Sequence, residues 1–104
     1  MDSTGHEYQV LKHVEKNPNI TQRQMAKKLG LSLGKTNYIM KALVQRGWVK
    51  LDNFKNSDKK ISYIYLLTPE GVLKKTKLAQ NFLAMKSDEY NELKKQIEQL
   101  KEEI

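Results

Sequence analysis

The chain has 104 residues, no cysteine and a formal net charge of +7. That length suits one compact domain with an appendage, and the missing thiols exclude a disulfide framework and thiolate zinc sites. The polar start Met1–Gly5 lacks the apolar core of a signal peptide, and no run of about 18 apolar residues occurs, so the expectation is a soluble cytoplasmic protein with no membrane partner.

Val10, Leu11 and Val14 share one helical face, which predicts a first helix from about His6 to Lys16, stopped by Asn17-Pro18-Asn19. Ile20-Thr21-Gln22-Arg23-Gln24-Met25 then carries a capping box, with Thr21 as cap and Gln24 three residues on. This second helix turns Met25, Ala26 and Leu29 inward and ends at Gly30. Ser32 caps a third helix that reaches Arg46, with Thr36, Ile39, Met40 and Leu43 as its inner stripe. Two helices joined through Leu29-Gly30-Leu31-Ser32 make a helix-turn-helix.

Residues 48–54 alternate as a strand does, and residues 61–67 are rich in β-branched and aromatic side chains. Between them lies the polar, basic tip Lys55-Asn56-Ser57-Asp58-Lys59-Lys60. Thr68 and Pro69 start a last helix that runs with few breakers to Ile104. Val72, Thr76, Ala79 and Leu83 form one stripe on it, flanked by Leu78, Phe82 and Met85. Tyr90, Leu93, Ile97, Leu100 and Ile104 form a second, at the three–four spacing of a coiled-coil seam. The two stripes read as displaced by about one residue near Ser87, which predicts a stutter or a break there.

The charge is concentrated. Thr21 to Lys60 carries ten Lys and Arg against two acids, a balance of +8, whereas Gly71 to Ile104 carries seven against six. A local basic field on a helix-turn-helix followed by a basic hairpin points to duplex DNA, where each neutralised phosphate releases counterions. The third helix offers Ser32, Gly34, Lys35, Asn37, Tyr38 and Lys41 on the face opposite its core stripe, as candidates for the major groove. Gln22 and Arg23 at the start of the second helix, and Lys55, Asn56, Lys59 and Lys60 at the hairpin tip, are candidates for the DNA backbone. Tyr90, Leu93, Ile97, Leu100 and Ile104 are the candidate dimerisation residues.

Nothing in the pattern suggests catalysis. His6 and His13 have no carboxylate at metal-ligand spacing, and no nucleophile elbow or phosphate loop occurs. The expectation is no enzyme, no metal and no cofactor.

The chain resembles the MarR type of winged-helix regulator, and within it the small branch associated with exopolysaccharide biosynthesis genes. The resemblance rests on residues 17–18, 20–23, 31–38, 41–43, 47–50, 53–57 and 63–71. It implies a homodimer on an inverted-repeat operator, with the third helix in the major groove and the hairpin, or wing, beside it. The first helix starts within about five residues of Met1, so the N-terminal helix by which full-length relatives interlock is not matched. The resemblance therefore leaves dimerisation to the last helix and a small-molecule effector undefined. Thr36 stands where many relatives carry an aliphatic residue.

The expected fold class is mainly α with a small β-hairpin wing, a winged helix-turn-helix, plus a long C-terminal dimerisation helix. Residues 1–68 form the DNA-binding domain and residues 69–104 the helical dimerisation segment. The expected function is sequence-specific regulation of transcription by a homodimeric repressor; the rival is a winged-helix adaptor that binds proteins without specific DNA binding.

Overall fold

The second, third and fourth helices each begin where a side chain replaces a missing backbone partner. In a computed structural model, which describes residues 4–55 and 61–104, the elements are α1 (Thr4–Lys16), α2 (Gln22–Leu29), α3 (Leu33–Gln45), β1 (Val49–Lys55), β2 (Ile61–Leu67) and α4 (Pro69–Glu102). Thr21 accepts the Gln24 N–H, and the Gln24 side chain accepts the Thr21 N–H, closing the capping box. Ser32 accepts the Lys35 N–H and Thr68 the Gly71 N–H. Gly30 ends α2 at φ 68°, a left-handed conformation that strains residues bearing a Cβ.

The core lies where α1, α2 and α3 converge over the first strand. Val10, Leu11, Val14, Ile20, Met25, Ile39, Met40, Leu43 and Val49 are buried there, and Leu78 reaches in from α4. Thr36 is fully buried too, and its hydroxyl donates to the Ser32 carbonyl at 2.9 Å. That bond satisfies a hydroxyl that burial would otherwise leave without a partner. β1 and β2 pair antiparallel, with Val49 opposite Leu67, Leu51 opposite Tyr65 and Asn53 opposite Tyr63. The hairpin is tied to the α1–α2 corner by the Tyr65 N–H, which donates to the Pro18 carbonyl at 3.1 Å.

α4 leaves the hairpin at a close approach. The Thr68 N–H donates to the Trp48 carbonyl, and the Thr68 hydroxyl donates to the Gly47 carbonyl. A Cβ on Gly71 would overlap the Trp48 carbonyl oxygen and lie 2.8 Å from its carbon, so only glycine admits this contact. Beyond it, Lys75 pairs with Glu15, Leu78 is buried and Phe82 packs on Tyr8 with ring centroids 5.5 Å apart. Gly71 thus faces Trp48, and Lys75, Leu78 and Phe82 continue the same side of α4 onto α1 and the core.

The stripe through Val72 and Leu83 does not meet the domain; both side chains are exposed. Nor does α4 break near Ser87, because it is one helix from Pro69 to Glu102. The expected stutter is corrected by the spacing itself. Thr76, Leu83, Tyr90, Ile97 and Ile104 recur every seven residues, and so do Val72, Ala79, Lys86, Leu93 and Leu100. The two stripes are one seam in a single register, interrupted in composition by Lys86 alone. The molecule is consequently elongated, 69 × 26 × 26 Å.

Candidate nucleic-acid interface

α3 is held by its buried stripe, which fixes what its other faces present. Gly34, Tyr38 and Lys41 are exposed, Tyr38 to 68%. The Lys35 ammonium lies 5.7 Å from the centre of the Tyr38 ring, so these two side chains form one cationic, aromatic projection. Ser32 is exposed as well, but its hydroxyl oxygen is engaged as the helix cap, leaving its proton to offer.

Asn37, like Lys35, is less exposed than Gly34, Tyr38 and Lys41. It is half-buried and lines a groove of about 430 Å³ between α3, the start of α2 and the hairpin. Gln22, Met40, Lys41, Val44, Gln45, Leu51 and Tyr65 complete the groove wall. Gln22 is committed inside it: its side-chain amide donates to the Tyr65 hydroxyl at 3.0 Å. Arg23, one residue on, is exposed. The groove therefore combines the amides of Asn37 and Gln45 and the ammonium of Lys41 with the apolar side chains of Met40, Val44 and Leu51.

Tyr65, Leu51 and Val44 belong to this surface and were not among the residues expected there. Exposed Leu51 on a strand and exposed Val44 on α3 are weak signals, since scattered surface apolar residues are ordinary. Only the fold brings Gln22 and Tyr65 together. Of the hairpin candidates, Lys55 has a described backbone at the end of β1, while Asn56, Lys59 and Lys60 lie outside the described residues. Tyr90, Leu93, Ile97, Leu100 and Ile104 are all exposed and far along α4, distant in sequence from the groove.

Among the described residues, no group of three or more His, Cys, Asp or Glu is placed to hold a metal ion. No described helix is long and apolar enough to cross a membrane. Burial first, then Lys28, Lys12 and Lys16, hold the His13 imidazole below the usual histidine range.

Residues 5–50 match the family model of winged helix-turn-helix DNA-binding segments. No curated protein sequence matches the chain. Among solved structures, a Streptococcus transcriptional regulator is similar in fold, with a TM-score of 0.72 at 14% identity over 86% of this chain and 92% of that one. Streptococcus pneumoniae FabT in complex with DNA superposes with a TM-score of 0.57 at 20% identity, covering 83% of this chain and 59% of FabT. A mutant E. coli MarR complexed with operator DNA gives 0.55 at 25% identity, covering 72% of this chain and 52% of that one. The fold is the winged helix-turn-helix of MarR-type regulators, and this chain spans little more than half the length of the latter two.

Proposed function

We propose that the chain is a sequence-specific double-stranded DNA-binding regulator of transcription, a homodimer that represses by occupying an inverted-repeat operator. The observation that carries this is α3 itself: a helix-turn-helix second helix whose outer face shows Gly34, Lys35, Tyr38 and Lys41 and no acid. Lys35 and Asn37 bond base edges, lysine to guanine acceptors and asparagine to adenine. Ser32, Gly34, Tyr38 and Lys41 complete the groove contact. Arg23 and the hairpin residues Lys55, Asn56, Lys59 and Lys60 meet phosphate, fixing orientation without reading sequence. Gln22 joins Arg23 at the phosphates with its second amide N–H, while the first donates to the Tyr65 hydroxyl and holds the wing against α2.

Repression follows from occupancy, since a dimer seated on a promoter blocks polymerase without further machinery. The regulated genes we propose are those of exopolysaccharide biosynthesis, on the resemblance carried by the runs from Leu31 onward. The reading includes no enzymatic activity and a cytoplasmic location. Residues 1–68 are the DNA-binding unit, and α4 joins two of them through Tyr90, Leu93, Ile97, Leu100 and Ile104.

Titration of duplex DNA across a salt series tests the reading against the adaptor. Neutralisation of phosphates predicts a linear fall of log affinity with log salt, with a slope near −0.9 per contact. Affinity that ignores salt, or no duplex binding at all, would overturn it.

A further inference from the structure

Beyond Phe82 the described structure shows no protein against α4, yet its seam is apolar. Tyr90, Leu93 and Leu100 are 64%, 56% and 58% exposed. The seam has a definite composition: one seam position, a, holds Tyr90, Ile97 and, just past the helix end, Ile104, and the other, d, holds Leu93 and Leu100. β-Branched residues at a with leucine at d are the pattern of a two-stranded parallel coiled coil.

The flanking charges point the same way. The positions just after d, called e, hold Lys94 and Lys101; those just before a, called g, hold Glu89, Gln96 and Glu103. In a parallel pair, g of one chain lies beside e of the following heptad on the other. Glu89 then meets Lys94 of the second chain, twice by symmetry. An antiparallel pair sets e against e and g against g, lysine against lysine and glutamate against glutamate. Lys86, at a d position, ends the apolar run and is bridged to Glu89 of its own helix at 3.2 Å.

We propose that α4 pairs with α4 of a second copy as a parallel, in-register zipper from Glu89 to Ile104, with Glu89–Lys94 pairs across the two chains setting its orientation. This rests on the homodimer reading above and adds its geometry. Parallel pairing puts both winged-helix bodies at one end of the zipper, where one duplex reaches both. Antiparallel pairing puts them at opposite ends.

The cysteine-free chain allows a direct test. Leu100→Cys and Tyr90→Cys are made separately, mixed in equal amounts and oxidised, and the covalent dimers are weighed. Disulfides need Cα atoms within about 7 Å. The parallel zipper predicts Leu100→Cys and Tyr90→Cys homodimers with little mixed dimer. Antiparallel pairing faces residue 100 with residue 90 and sets the two copies of residue 100 about 15 Å apart along the axis. A predominance of mixed dimer would overturn the orientation.

A second measurement leaves the seam intact. The parallel zipper predicts that Glu89→Lys raises the dimer dissociation constant, by roughly two- to thirtyfold for two exposed pairs, and that adding Lys94→Glu to the same chain restores it. In an antiparallel dimer the single substitution relieves repulsion and tightens pairing, which contradicts the proposal. Sedimentation of wild-type protein separates the two levels. A monomer overturns the homodimer reading, whereas a dimer with the opposite charge response overturns the orientation alone.

Discussion

Leu43 and Leu93 are the same residue in the same kind of helical stripe, with opposite fates. Leu43 is fully buried among α1, α2 and the first strand, while Leu93 stands 56% exposed on the far part of α4. The body of the molecule satisfies its own apolar pattern, and the protruding helix repeats such a pattern with no described residue of its own chain to cover it. Periodicity announces that a face wants a partner; only the fold shows whether the chain supplies one. In the body the partner is internal, so the pattern reports stability. On α4 no described residue supplies it, and the proposed pairing of two chains rests on that exposure.

The comparison breaks if the tail turns out to serve the body. A chain ending before Ser87, or one carrying Leu93→Asp and Leu100→Asp, is expected to stay folded by circular dichroism and to sediment as a monomer. Its specific duplex affinity should fall by ~10²–10⁴-fold, the avidity that disappears when two half-sites are no longer linked. Loss of the fold in the truncated chain would make α4 a structural element of the body.

The reverse experiment is Leu43→Ala, which deletes buried volume and is expected to cost about 2–5 kcal/mol in denaturant unfolding. Leu93→Ala at the same dilute, monomeric concentration should cost little, since the side chain is already in water. Equal costs would erase the distinction between the two regions.

Much of the body was legible in sequence because its signals are local. Thr21 with Gln24, Ser32, Gly30, and Thr68 with Pro69 each act within a few residues, and each fixed an element end. The phase of α4 was less so. Lys86 occupies a seam position, and its charge hid the fact that Leu83 and Tyr90 are one heptad apart. The Gly71 contact with Trp48 and the Gln22–Tyr65 bond depend on elements that meet only after folding, so no spacing rule reveals them. The groove beside α3 was invisible for the same reason, and with it the half-burial of Asn37.

Within the body, the DNA-facing surface is expected to be separable from the core. Asn37→Ala and Lys35→Ala should each cost ~1–3 kcal/mol at a preferred base and relax discrimination there, measured by competition among duplexes. Unchanged stability with unchanged preference would remove α3 from base reading. Lys59→Ala with Lys60→Ala should act more gently, weakening all duplexes alike and lowering the salt slope by about one for each phosphate no longer neutralised. An unaltered slope would leave the hairpin tip without a role at the phosphates.

The smallest expected effect concerns His13, on α1. Its folded equilibrium lies below the usual value of 6.5, so the unfolded chain binds a proton more readily. The contribution to stability is present above pH 6.5 and fades as pH falls below it. His13→Gln should flatten that portion of the stability–pH profile without altering dimerisation; a profile steeper in the variant would contradict the sign.

The central claim, a two-fold reader of duplex DNA joined through α4, is tested most directly by selecting bound sequences from a random duplex pool with the full chain. The account predicts an inverted repeat whose half-site centres lie one helical turn apart, roughly 34–36 Å, as two linked recognition helices require. A pool that shows no enrichment, or enriches a lone half-site with no symmetric mate, would contradict it.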